Sequence, residues 1–128
     1  MEFTFHGNSS ARIAELSNGG PMPSNGGPKI NTVEDAVDLL GNADYQGAQR
    51  IVIHQSQLHP DFLELKSGLA GEILQKFSNY RMQLAIVGDF RNISSKSLRD
   101  FIYESNKQGR IFFVETLEDA LDKLSSST

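Results

Sequence analysis

Cysteine is absent from all 128 residues. Disulfide frameworks, zinc–thiolate sites and thiol nucleophiles go with it, which rules out a small secreted scaffold held by cross-links. No apolar run approaches the roughly 18 residues of a membrane-spanning helix. The start, Met1-Glu2-Phe3-Thr4-Phe5-His6, lacks the basic-then-apolar order of a secretory leader. A cytoplasmic protein with no membrane partner is expected. A basic stripe is missing too: 12 scattered Lys and Arg stand against 16 Asp and Glu, for a formal charge of −4. Binding dominated by phosphate contacts lacks its electrostatic footprint, and nucleic acid is not expected as a partner.

The length suits one domain over 1–128, since a chain of this size buries about two-thirds of its unfolded surface. Phe3 and Phe5 alternate with polar neighbours, Gly7-Asn8-Ser9-Ser10 offers turn chemistry, and Arg12-Ile13-Ala14-Glu15-Leu16 alternates again. A two-stranded hairpin follows from that pattern. Ser17-Asn18-Gly19-Gly20-Pro21 is then repeated at Ser24-Asn25-Gly26-Gly27-Pro28, and the span 17–29 is expected to be a flexible surface loop. It has no G-x-x-x-x-G-K-[ST] pattern, and its prolines remove donors a phosphate cradle would use.

Thr32 precedes Val33-Glu34-Asp35 and an apolar stripe of Val33, Ala36, Val37 and Leu40, so a capped helix is expected, with Gly41 as its stop. Ile51-Val52-Ile53, Leu84-Ala85-Ile86-Val87 and Ile111-Phe112-Phe113-Val114 are short unalternating apolar runs, the signature of strands buried on both faces. Leu69, Ile73, Leu74 and Phe77 repeat at helical spacing. Leu98, Phe101, Ile102 and Ser105 do the same between a Ser95 or Ser97 cap and a Gly109 stop. Thr116-Leu117-Glu118-Asp119-Ala120-Leu121-Asp122 nearly repeats Thr32 to Asp38, which shared capping chemistry explains without duplication. The tail 125–128 is expected to fray.

The whole is an α/β pattern: an N-terminal hairpin, then alternating helices and mostly parallel strands, giving a sheet of about five strands with about four helices. At Arg50-Ile51-Val52-Ile53-His54-Gln55-Ser56-Gln57-Leu58, Leu65-Lys66-Ser67-Gly68-Leu69-Ala70 and Leu84-Ala85-Ile86-Val87-Gly88 the chain resembles STAS domains, the anti-sigma-factor-antagonist-like fold. The segments Gly68 to Arg81 and Ser95 to Glu104 also resemble a bacterial family catalogued as domain of unknown function 4180, over Ile30 to Leu124. The STAS resemblance implies a regulatory module switched by a phosphorylated serine. Lys66 stands at that serine's position, with Leu65 in place of the acidic residue before it and Ser67 as the remaining hydroxyl.

Ligands bind open parallel sheets at the carboxyl ends of the strands. Here His54, Gln55, Asp89 and Glu115 follow those ends, with His59, Asp61, Glu64 and Lys66 beside the first. His54, His59, Asp61 and Asp89 are the candidates for acid/base catalysis, since an imidazole titrates near neutral pH. Gln55, Glu64, Lys66, Ser67 and Gly68 are the candidates for binding. Gly68 either bares helix amides to an anion or allows close packing of helix on sheet, and packing is the expectation. No H-E-x-x-H or other ligand spacing accompanies the histidines, so no metal or cofactor is expected.

The leading expectation is a non-enzymatic interaction or regulatory module. Its partner surface is the stretch His54 to Lys66, its partner is a protein, and a homodimer is compatible. The alternatives are a small acid/base enzyme using the strand-end residues and a small-molecule or nucleotide-binding module. A deep pocket joining His54 to Asp89 favours ligand or enzyme; a flat, partly apolar surface favours protein contact. Alanine at His54 or Asp61 is expected to leave folding nearly intact.

Overall fold

In the computed structural model, residues 2–7, 12–17 and 29–126 are described. β1 (Phe3–His6) and β2 (Ile13–Leu16) pair antiparallel, Phe5 opposite Ala14. The chain then alternates: α1 (Val33–Tyr45), β3 (Arg50–His54), α2 (Leu69–Asn79), β4 (Gln83–Val87), α3 (Lys96–Gln108), β5 (Ile111–Val114) and α4 (Leu117–Ser126). The five strands lie in chain order β1-β2-β3-β4-β5, with β2 to β5 parallel.

That order dictates the layering. Parallel crossovers are right-handed as a rule, and each of the three here steps one strand in the same direction, which puts α1, α2 and α3 on one face. There Ala14, Leu16, Ile51, Ile53, Leu84, Ile86 and Phe113 meet Leu39, Leu40, Ile73 and Phe77 in the larger core cluster. Burying side chains such as Ile73 and Phe77 contributes about 1.5–3 kcal/mol each. α4 follows the last strand and turns to the opposite face, where Ala120 and Leu124 pack with Val52, Ala85, Phe112 and Val114. It packs against β3, β4 and β5. On the β1–β2 half of that face the sheet presents Thr4, His6 and Glu15.

Both threonine caps form. The Thr32 hydroxyl accepts from the Asp35 amide at 3.1 Å while the Asp35 carboxylate answers the Thr32 amide, and Thr116 accepts from Asp119 at 3.0 Å. Ser95 caps α3, and Gly109, at φ 81°, ends it in the left-handed conformation glycine favours. Gly41 does not stop α1. It faces solvent, and the stripe resumes with fully buried Ala43, so packing carries the helix on to Gln46 and to Gly47 at φ 85°. α4 reaches Ser126, while the hairpin turn at 8–11, the loop at 18–28 and the last residues 127–128 lie outside the described residues.

Between β3 and α2 the chain makes three short 3-10 turns, Gln55–Gln57, Pro60–Leu63 and Leu65–Ser67. They are pinned by a bridge between Ile30 and Leu58, in which the Ile30 amide donates to Gln57 O and the His59 amide to Ile30 O, each at 2.9 Å. Buried Phe62 anchors the middle turn. Among the described residues no helix is long and apolar enough to cross a membrane.

Candidate functional site

A cavity of about 890 Å³ lies over the carboxyl ends of β3, β4 and β5. Its apolar wall is Leu58, Pro60, Leu63, Ile86, Val87 and Leu117; its polar residues are His54, Gln55, Ser56, His59, Asp89, Arg91, Glu115 and Thr116. Of the residues singled out in the sequence, His54, Gln55, His59, Asp89 and Glu115 line it. Asp61, Glu64, Lys66, Ser67 and Gly68 sit on the turns beyond its lining.

His54 ends β3, and its Nε2 lies 2.7 Å from Glu15 Oε2 on neighbouring β2; the other oxygen of Glu15 lies 2.8 Å from Nε2 of His6 on β1. An ionised carboxylate only accepts, so both imidazoles donate from Nε2, and in its neutral form each keeps Nδ1 as the acceptor. The side chains of Glu15 and His54 are 15% and 13% exposed. Burial pushes the Glu15 carboxyl up, but hydrogen bonds from His54 and His6, with the charge of those rings, outweigh it and hold the group below its ordinary 4.5. His54 is thus a fixed member of a three-residue chain, which revises the expectation that alanine there is nearly neutral: the change strips one partner from a poorly exposed carboxylate.

A folded-state pKa below the unfolded one means that ionised Glu15 adds stability in full above about pH 4.5, and that this part fades as pH falls through the lower folded value. The Glu15→Gln variant is expected to show a flatter fall of melting temperature on acidification below about pH 4.5 than the native chain. Thermal melts across that range check it, and parallel curves contradict it.

Behind the site, Gln57 is 1% exposed and clasps two strand ends. Its Oε1 accepts from the His54 amide at 2.9 Å, while its Nε2 donates to Leu16 O at 3.1 Å and Ser17 O at 2.9 Å. Gln55 turns the other way, its Oε1 accepting from the Asp89 amide at 3.2 Å. Asp89 receives Arg91 Nε at 3.0 Å and Nη2 at 3.1 Å, and Glu115 approaches the same Nε at 3.6 Å. Those bonds from Arg91 hold the Asp89 carboxyl below its ordinary range. His59 Nδ1 accepts from the Asp61 amide at 3.0 Å, so its proton resides on Nε2; the Asp61 carboxylate, at 3.8 Å, is beyond hydrogen-bond reach.

Gly68 departs from its expected role. A Cβ there would meet nothing within 4 Å, so close packing does not call for glycine; its φ of 78° does, where the last turn reverses into α2. Ser67 braces that junction, its hydroxyl donating to Asp61 O at 2.7 Å and accepting from the Leu69 amide at 3.2 Å.

Glu15, His6 and Arg91 were not singled out in the sequence. Only one signal pointed to Glu15, an acidic residue inside a short alternating strand, and it reads equally as a solvent-facing position. Among the described residues no three His, Asp or Glu side chains are arranged to hold a metal ion.

The model of the family described as "Domain of unknown function (DUF4180)" matches residues 22–124, most of the chain. The chain belongs to the DUF4180 family. Comparison with curated proteins and with solved structures gives no significant match. The DUF4180 match covers β3, β4, β5 and the loop after β3, so every residue lining the cavity lies within it, while Glu15 and His6 lie before it.

Proposed function

We propose that this DUF4180 chain is a non-enzymatic, STAS-like regulatory module that reads a small organic ligand held in the strand-end cavity and presents the result on the loop His54–Lys66 to a protein partner. The observation that carries the reading is the cavity itself: about 890 Å³, apolar along its wall and polar at its rim, within the size range of ligand sites. A flat surface would have favoured direct protein contact instead.

The rim chemistry supports binding over proton transfer. A carboxyl that serves as general acid near neutral pH must be raised from its ordinary range, and Asp89 is shifted the other way by Arg91, while the His54 ring is already committed through Nε2 to Glu15. Asp89 and Glu115 outweigh the single charge of Arg91, so the expected ligand has an apolar body and a neutral or cationic polar head. The strand order, an antiparallel hairpin followed by parallel strands in sequence, supports the STAS-like part. Beyond the Ile30 bridge, the turn Pro60–Leu63, which gives Pro60 and Leu63 to the wall, is closed by short-range backbone bonds, the kind of element a ligand can reorder.

Native mass spectrometry of the chain isolated from its source cells tests this. A bound small molecule is expected on the native chain and not on the Leu63→Arg variant, which places a charge in the apolar wall. Equal occupancy of both, or of neither, contradicts the reading.

A further inference from the structure

The opposite end of the sheet, where β3, β4 and β5 begin, carries a second hollow of a different kind. It encloses about 290 Å³ and is walled by Arg50, Arg81 and Arg110 with Gln49, Gln83 and Gln108. Among the described residues no carboxylate lines it. Among the described residues none of the three guanidinium groups takes part in an ion pair. In a chain of net charge −4, three cations gathered without a counter-charge repel one another and are held there by the fold.

Two further observations point the same way. Arg50 keeps its Nε–H buried with no acceptor among the described residues, a costly state for a charged donor. Arg81 stands just after the last turn of α2 at φ 57°, where any residue but glycine is strained, yet the position carries a long cationic side chain. Arg110 is tied across to the start of β4, with Nη1 3.5 Å from Met82 O. Cations after α2 and α3 also offset the negative helix ends. That effect accounts for the charge at Arg81 and Arg110, and for neither the buried Arg50 nitrogen nor the glutamine-lined hollow.

We propose that this hollow is an anion site for a small, multiply charged phosphate oxyanion, either inorganic or the terminal group of a phosphorylated metabolite. Guanidinium forks match phosphate oxygens in pairs, and the amides of Gln49 and Gln108 supply neutral donors beside them, while the Gln83 amide donates to Gly109 O and braces the wall. The hollow is short and the chain as a whole is acidic, which disfavours a long polyanion.

Calorimetric titration with pyrophosphate is the test, run at low ionic strength and again at about 0.15 M salt. Saturable one-to-one binding with a Kd of about 1 mM or tighter is expected. Arg50→Gln is expected to weaken it at least about tenfold, and so is Arg81→Gly, which at the same time raises the melting temperature by removing the backbone strain. Lys96→Gln, which removes one positive charge at an exposed position outside both hollows, is expected to bind as the native chain does. Absence of saturable binding, unchanged affinity in both arginine variants, or tighter binding of a short single-stranded oligonucleotide than of pyrophosphate overturns the proposal. None of these outcomes bears on the strand-end cavity.

Discussion

Gln57→Leu is expected to remove about 3–5 kcal/mol of stability, because each buried polar group left without its partner costs about 1–3 kcal/mol. Three groups lose a bond at once: the buried Leu16 carbonyl and the partly buried His54 amide and Ser17 carbonyl. Leucine fills much the same volume, so the loss is one of hydrogen bonding more than of packing. Small domains hold about 5–15 kcal/mol in total, which makes this about a fifth of the whole or more. Urea unfolding reads it as a lower midpoint at unchanged slope. The consequence reaches the site, since the clasp sets where β3 ends and the loop begins. A loss below about 1 kcal/mol would mean the clasp is dispensable.

Gly88→Ala is the second large effect, expected to cost about 1–3 kcal/mol and to deform the cavity. An added Cβ would run into Gln55 Oε1, lie 2.7 Å from Gln55 Cβ and 3.0 Å from Phe90 Cζ. The amide end of Gln55 can swing away, but its Cβ is fixed to the turn after β3. Phe90 has little room either, being packed edge-on to Phe113 at 5.3 Å between ring centres. Relief therefore comes by separating the chain after β4 from the chain after β3, which breaks the Asp89 amide bond to Gln55. Denaturation measures the stability loss, and ligand affinity is expected to fall with it. A variant of native stability would show that these two loops are free to part.

The fold was legible where its physics is local. Three unalternating apolar runs gave three buried parallel strands, and Thr32, Ser95 and Thr116 capped the helices their neighbours called for. Gly41 misled because helix propensity is weak beside packing: Ala43, two residues on, is completely buried and holds the helix together. Gly68 could be recognised as special, but its reason could not, since φ is set by how the preceding turns meet α2. The site was half legible. Strand-end residues such as His54 and Asp89 follow from topology, whereas the Glu15 contact joins positions 39 apart in sequence. The arginine hollow was illegible for the same reason. Arg50, Arg81 and Arg110 stand about thirty residues apart, one at the entry to each of three strands, and only the sheet brings them together.

Amide chemical-shift mapping with a library of small amphipathic fragments tests the strand-end cavity most directly. Binding fragments are expected to perturb Leu58 to Leu63, Ile86 to Asp89 and Glu115 to Leu117 together, leaving the groove between α1 and α2 unmoved. If perturbations gather in that groove, or no fragment shifts the three strand-end segments as a set, the cavity is not the binding site and the regulatory reading built on it falls.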